Sequence, residues 1–519
     1  MKNNEKLIRK NFDSHEAENI NNELVVRRQK LEQIKKSGIQ PYPDTYSRTH
    51  MLSDASGEKE GTKVSVCGRM LTRRTMGKIT FCHLLDGSGK MQIVLREEDL
   101  GSKDYETFHS LLDTGDFMGV TGEIFVTKKG EVSVLVKQYI FLGKALRPLP
   151  EKWHGLKNQE QRYRKRYLDL ISNPETKDFF VFKSRLIQSI RSFYHSEKFI
   201  ELETPVLANT ASGALAKPFM THHNALDIDV YLRISAGELW QKMAIVGSFE
   251  KTFEIARVFR NEGMDPSHLQ EFTMVEHYAA YWNFKDNMAF TEKMFSYFLK
   301  ELFGTMKVEI KDRDGDVSTV DFTPPWPRVS FREIIIKDSG IDITKYRDEK
   351  ELLEEIKKKK FYTEEMDSLG LGNLIDELYK TVSRSKIVAP TFLVEHPIEI
   401  SPLARKNDEN PKIVDRFQLI VKGWEVVNAY SELVDPVDQK GRFSKQVNAK
   451  KMGDDEAHGE DDEFVEALEY GAPPMSGWGM GIDRLAALLT KHENLRDVVL
   501  FPLLKPLDKA QSKNDTEKI

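Results

Sequence analysis

Two arginine-bearing motifs, far apart in the chain, carry the residue types best suited to chemistry. The first is Phe259-Arg260-Asn261-Glu262, followed by His268 and Phe272; the second is Gly477-Trp478-Gly479-Met480-Gly481-Ile482-Asp483-Arg484-Leu485. A guanidinium is planar and grips carboxylate or phosphate with two prongs, which a point-like ammonium cannot do. Arg260 is followed two positions on by Glu262, and in an extended strand such residues project from one face. Arg484 opens an apolar helical pattern (Leu485, Ala486, Leu488, Leu489), just after glycines that let a ligand or backbone come close. Two such clamps with an aromatic nearby suit a triphosphate and its base. Taken singly, each motif has a plainer reading as a structural salt bridge or a turn before a helix. Their combination points to a nucleotide.

The elements that must hold these residues follow from patterning. The 519 residues, 39% hydrophobic and 31% charged, allow two or three domains around a large core. No run of about eighteen apolar residues is present to span a bilayer, and Met1-Lys2-Asn3-Asn4-Glu5-Lys6 lacks the apolar stretch of a signal peptide. Cys67 and Cys82 have neither metal-ligand spacing nor a disulfide framework, so they read as small hydrophobes in a reducing, cytoplasmic setting. A net charge of -5 excludes nucleic-acid binding through bulk charge and leaves it to local patches.

Residues 1–61 read as a polar N-terminal extension with one helical stretch, Leu24 to Ile34. Over 62–145 the pattern changes to five short runs, Val64 to Met70, Ile79 to Leu85, Met91 to Leu95, Phe117 to Val126 and Val132 to Leu142. Turn signals such as Asp86-Gly87-Ser88-Gly89 separate them, which predicts a five-stranded OB-type barrel. Arg69, Arg73, Arg74 and Lys78 put positive charge near its first turn, and Phe81 and Gln92 offer a stacking ring and an amide. Phe81 has a core reading of equal weight. A linker follows at 146–174, with the charged helix around Gln161 to Tyr167 read as a hinge with some RNA contact. From 175 to 505 strands and helices mix without regular alternation, which predicts an α+β domain. Within it, about 304–390 is rich in charge and reads as an insertion with a solvated face. The acidic stretch Asp454 to Glu463 reads as a solvated loop leading into a helix, and 506–519 as a flexible tail.

The arginine motifs resemble motifs 2 and 3 of class II aminoacyl-tRNA synthetases. Upstream, the helical pattern Phe182-Leu186-Ile187-Ile190-Phe193-Tyr194 running into Phe199-Ile200-Glu201-Leu202-Glu203-Thr204-Pro205 resembles motif 1, the dimer-forming helix and strand. Between them stand Thr221-His222-His223-Asn224-Ala225-Leu226-Asp227, Tyr231-Leu232-Arg233, Ser401-Pro402-Leu403-Ala404 and Asn428-Ala429-Tyr430-Ser431-Glu432-Leu433, as in the class II lysyl-tRNA synthetases of bacterial type. The resemblance covers nearly the whole chain. It implies an anticodon-binding barrel before an antiparallel-sheet catalytic domain, a homodimer, and activation of L-lysine by ATP with transfer to the 3′ end of tRNA(Lys).

Carried over residue by residue, the resemblance gives Arg260 and Arg484 the catalytic roles. Arg260 bridges the substrate carboxylate and α-phosphate, Glu262 meets the adenine amino group, and Phe272 and Arg484 sandwich the adenine, with Arg484 and His268 near the γ-phosphate. Glu432 with Tyr278 takes the lysine ε-ammonium, where an unpaired buried charge disfavours a neutral side chain. Glu238, Glu276 and the Gly213 carbonyl surround the α-amino end, Asn428 assists the carboxylate, Tyr430 lies along the methylene stem, and Gly479 lies beneath the substrate. Arg69, Phe81, Gln92 and Glu131 are the implied anticodon contacts. Magnesium is the implied cofactor, with Glu425 and Gln418 as its ligands.

The chain departs from the family in three places. Gln418 stands seven residues before Glu425, where a glutamate is usual. Ser235-Ala236-Gly237-Glu238-Leu239-Trp240-Gln241-Lys242 replaces a shorter Pro-Glu-Leu segment, and an Asn-Pro common near Leu269-Gln270-Glu271 is missing. Aspartyl- and asparaginyl-tRNA synthetases share the architecture but need a cationic or neutral discriminator at Glu432. A lysyl transferase acting on protein would lack the barrel, and an inactive RNA-binding relative would have lost Arg260, Glu262 or Arg484.

Overall fold

In the computed structural model the described residues are 22–150, 156–209, 216–263, 265–266, 268–311, 315–401, 403–451 and 461–507. The chain divides into two compact units: Met1–Asn173 with Leu503–Ile519, and Pro174–Pro502. Most of the expected tail, and the acidic stretch up to residue 460, lie outside the described residues.

In the first unit, strands β1 (Lys63–Met76), β2 (Ile79–Leu85), β3 (Lys90–Arg96), β4 (Phe117–Val126) and β5 (Val132–Gly143) close a barrel in the order β1-β2-β3-β5-β4. Period-two alternation builds it: on β2, Thr80, Cys82 and Leu84 turn inward while Phe81 and His83 turn outward. Val66, Met70, Ile93, Met118, Val120 and Val134 fill the interior, joined by Ile34 from a helix over 22–36. β1 runs six residues past its expected end, which places Arg73 and Arg74 on the strand. A helix the sequence did not suggest, Ser102–Leu111, adds Phe108 and Leu111 to the same core. After the barrel, Arg162 and Arg166 both pair with buried Asp169 at 2.7 Å. Two arginines of the segment read as a hinge with some RNA contact are thus engaged within the chain.

The second unit is built on an eight-stranded sheet. Its strands are β6 (Ile200–Glu201), β10 (Lys251–Phe259), β11 (Glu271–Ala280), β14 (Arg328–Ser330), β15 (Thr391–Val394), β16 (Arg416–Val421), β17 (Trp424–Ser431) and β18 (Met475–Gly481). They run in the order β14-β15-β16-β17-β18-β11-β10-β6, antiparallel throughout except at the two edges, β14–β15 and β10–β6. Short strands β7 (Leu207–Ala208), β8 (Met220–His223) and β9 (Ile228–Leu232) form a separate sheet, and β12 (Lys307–Lys311) pairs with β13 (Val317–Asp321).

One face of the large sheet is apolar. Phe253, Val275, Phe417, Leu419, Val427, Ala429, Trp478 and Met480 pack with the helices Pro174–Ser196, Phe284–Phe303 and Ile482–Leu489. The Phe284–Phe303 helix starts on an Asn283–Asp286 capping box, which satisfies otherwise orphaned N–H groups, and ends at left-handed Gly304. The expected insertion is folded onto the sheet: Phe331, Ile335, Leu352, Leu374 and Leu378 form a cluster that includes Leu393 and Ile420.

Candidate active site

The other face of the sheet is polar, and strand register explains why. Two rows run side by side across it, Thr252–Tyr278–Gly477–Tyr430–Arg416 and Glu254–Glu276–Gly479–Asn428–Gln418. Each strand thus turns its apolar residues to the helices and these residues to the opposite side. Glu425 joins them through a β-bulge. Leu419 faces Val427 and Ile420 faces Glu425, so the extra Val426 shifts the alternation and brings Glu425 to the same face as Asn428.

The glycines of β18 form the floor. A Cβ on Gly477 would lie 2.2 Å from Glu432 Oε1 and 2.5 Å from Tyr278 Cε1, so its absence lets those two side chains meet there. At Gly479 the nearest atom would be Glu276 Cγ at 3.4 Å, an ordinary contact that leaves the floor open above it.

At one end lies a pocket of carboxylates. Glu238, Glu276 and Glu432 are 4%, 6% and 2% exposed. Among them sits an ammonium that sequence reasoning assigned no role: Lys242 Nζ is 2.7 Å from Glu238 Oε1 and 2.6 Å from Glu432 Oε2. It lies 5.5 Å over the Tyr278 ring and 6.0 Å over that of Tyr430, whose hydroxyl donates to Glu238 Oε1 at 2.9 Å. The signal was the i, i+4 Glu–Lys spacing on the Glu238–Val246 helix, which usually marks an exposed pair. Burial raises the Glu276 carboxyl to about 8, helped by the Glu238 charge, while Lys242 and Arg260 oppose the rise. Burial likewise raises Glu432 to about 8, against the pull of Lys242.

At the other end Arg484 and Arg260 lie within electrostatic reach of one another. Arg484 donates to the Glu425 carbonyl at 3.0 Å; burial lowers its pKa, Glu425 opposes that, and the Arg260 charge adds to it. Arg260 therefore shares the field of Arg484, with its Cζ 5.3 Å over the Phe272 ring. β10 ends at Phe259, so Arg260 and Glu262 follow in irregular backbone, and the strand alternation expected to place them on one face does not reach them. Glu262 is half-buried, and His268 is exposed with Nδ1 2.6 Å from Asp265.

Asp483, beside Arg484, ties the site together: it pairs with Lys183 of the long helix and accepts from the Thr273 backbone N–H of β11 at 2.8 Å. Arg416, also unassigned beforehand, donates to Asn428 Oδ1 at 2.9 Å and to the Ile400 carbonyl at 2.7 Å. The Gln418 amide oxygen faces His396 Nε2 at 3.2 Å, which makes the imidazole its donor. Among the described residues no group of three or more His, Cys, Asp or Glu side chains is placed to hold a metal ion; Glu425 offers one carboxylate on this face, and the Gln418 amide is already engaged. Gly213 lies outside the described residues.

The barrel residues separate by face. Phe81 is half-exposed and absent from the barrel's interior, so its core reading falls away. Arg69 donates to the Gly115 carbonyl at 2.9 Å and lies 4.1 Å over the Phe117 ring, while Gln92 Nε2 donates to Glu131 at 2.7 Å.

A closed five-stranded barrel, together with an antiparallel sheet whose polar face joins two guanidiniums to a carboxylate pocket, defines a synthetase of the second class. The family model "tRNA synthetases class II (D, K and N)" matches residues 158–505, and that of the OB-fold nucleic acid binding domain matches 64–142. The chain belongs to the class II tRNA synthetases of the D, K and N group. It is 45% identical over 496 residues to the lysine–tRNA ligase of Pelotomaculum thermopropionicum, covering 95% of this chain and 97% of that one. It is 43% identical over 505 residues to the lysine–tRNA ligase of Bacillus subtilis (95% and 99%), and 44% over 496 residues to that of Thermosipho africanus (94% and 97%).

Proposed function

We propose that this chain is a lysine–tRNA ligase that joins lysine to ATP as lysyl-adenylate and then passes the lysyl group to tRNA(Lys). The observation that carries this reading is the pocket of Glu238, Glu276 and Glu432 beside the paired guanidiniums Arg260 and Arg484. An amino acid with ammonium groups at both ends fits between them; aspartate would set its own carboxylate against theirs.

The substrate α-carboxylate is already anionic at neutral pH and needs no base. Its oxygen attacks the α-phosphorus, the bond to the β-phosphate breaks, and pyrophosphate leaves. Arg260 aligns carboxylate and phosphate, Arg484 and Phe272 hold the adenine, Glu262 meets its amino group, and His268 and Arg484 meet the γ-phosphate. Positioning and preorganised charge supply the rate. A ribose hydroxyl at the tRNA 3′ end then attacks the lysyl carbonyl and AMP departs. Magnesium would screen the phosphates, held by Glu425 with Gln418 as a neutral neighbour. The Gly213 carbonyl belongs with the α-amino contacts, Asn428 with the carboxylate, Tyr430 with the stem, and Gly479 beneath.

Arg69, Phe81, Gln92 and Glu131 make the anticodon face, Phe81 stacking an unpaired base. Two copies associate through the apolar side chains Ile200, Leu207, Met220 and Leu226, all exposed in the single chain. The protein works in the cytoplasm, where ATP and tRNA are at hand. No helix among the described residues is long and apolar enough to cross a membrane.

The test is exchange of pyrophosphate into ATP with a panel of amino acids and magnesium, without tRNA. Lysine alone should drive it; a preference for aspartate or asparagine would overturn the specificity. Glu432→Gln should raise the lysine KM far more than the ATP KM, and equal changes would remove its ammonium role.

A further inference from the structure

With all three carboxyls ionised, the charges of the amino-acid pocket do not balance within the protein. Glu238, Glu276 and Glu432 are buried around one ammonium, that of Lys242. Two of their oxygens, Glu276 Oε2 and Glu432 Oε1, are buried and accept no hydrogen bond from the described residues. The other oxygen, Glu432 Oε2, lies 2.6 Å from Lys242 Nζ. Unpaired buried carboxylate edges are costly and persist where a ligand completes them.

We propose that Lys242 is a specificity-determining residue of the amino-acid pocket, a resident ammonium that meets the charge of one buried carboxylate and leaves two for a substrate bearing two ammonium groups. This rests on the lysine–tRNA ligase reading and deepens it. The substrate α-ammonium completes Glu276, and its ε-ammonium completes the free edge of Glu432. Glu238 is held by Lys242 and the Tyr430 hydroxyl, so it acts as the anchor of the resident cation.

The backbone fixes this anchor. Gly237 takes φ +76° immediately before the helix, a conformation closed to proline and disfavoured for other residues. A Cβ there would lie 2.3 Å from Thr204 Oγ1 and 2.9 Å from Glu254 Oε2, so the helix begins hard against the Thr204–Glu254–Arg233 cluster. Glu238 and Lys242 then fall one helical turn apart, facing Glu276 and Tyr278 of β11 and Tyr430 and Glu432 of β17 and its end.

Lys242 also favours ionisation of Glu276 and Glu432, as Arg260 does for Glu276. Burial raises both carboxyls toward about 8, so a doubly ammonium substrate displaces protons from them as it binds. Lysine binding to the wild-type protein should therefore release more than one proton below about pH 7.5, read by calorimetry in buffers of differing ionisation enthalpy. Affinity should rise with pH through about 8.

In Lys242→Met both carboxyls become harder to ionise. The midpoint of the pH dependence should move up by about one unit, and the lysine KM in exchange should rise about tenfold or more at neutral pH. The ATP KM should stay within about twofold. An unchanged lysine KM, or parallel rises in both constants with an unmoved midpoint, would overturn the proposal. If the variant does not fold, the wild-type proton count decides: release of less than about half a proton rules the charge balance out. Absence of lysine-driven exchange by the wild-type protein would instead remove the ligase reading itself.

Discussion

Gly477 and Gly479 are alike in sequence and unlike in what they permit. An alanine at 477 would drive its methyl to 2.2 Å from the Glu432 carboxylate. Overpacking of this kind costs roughly 1–3 kcal/mol, so Gly477→Ala should lower the melting temperature and abolish lysine-driven exchange. Gly479→Ala meets only ordinary contacts; it should keep its melting temperature and raise substrate KM by filling the floor. Equal thermal losses in the two variants would refute the distinction. The arginines and Glu432 were legible in the sequence because charge types in that order suit few other tasks. Lys242 was not, because a lysine four residues after a glutamate reads as solvent-facing until the helix is seen with that side buried. Gln418 was legible as a departure, but its engagement with His396 comes from a strand and a loop distant in sequence.

Among elements, the barrel strands other than β1 could be read nearly to the residue because alternation and turn signals agree. The bulge at Val426 could not: a continuous strand would put Glu425 and Asn428 on opposite faces, and only pairing with β16 reveals the shift. Deleting Val426 should remove the extra residue and restore regular pairing with Glu425 still opposite Ile420, so lysine-driven exchange should survive; a severe loss would show that the bulge itself is required. Asp483 is another element-scale feature, joining the long helix, β11 and the Arg484 helix. Asp483→Ala leaves Lys183 with the Val498 carbonyl but no carboxylate and should cost about 3 kcal/mol, measured by denaturant unfolding. A change below about 0.5 kcal/mol would show that the tie adds little.

On the scale of the whole chain, shifts in composition marked the barrel and the insertion, but not that the insertion shares an apolar cluster with the sheet. The motif 1 resemblance implies association, and apolar side chains on β6 to β9 are exposed in the single chain. Sedimentation should find a dimer, and Leu207→Glu with Met220→Glu should yield monomers; wild-type monomers at micromolar concentration would exclude it. Phe81→Ala, on the outer face of the barrel, should leave lysine-driven exchange intact and depress charging of tRNA about tenfold, at roughly 1–3 kcal/mol per stacked base. Unchanged charging would mean that Phe81 touches no base.

The barrel and the sheet each enclose an interior of their own, the first around Met118 and Val134, the second around Trp478 and Phe295. Damage can therefore be partial in a particular way. A lesion inside the barrel would leave a chain that still consumes amino acid and fuel yet delivers nothing to the ribosome, an idling engine rather than a stopped one.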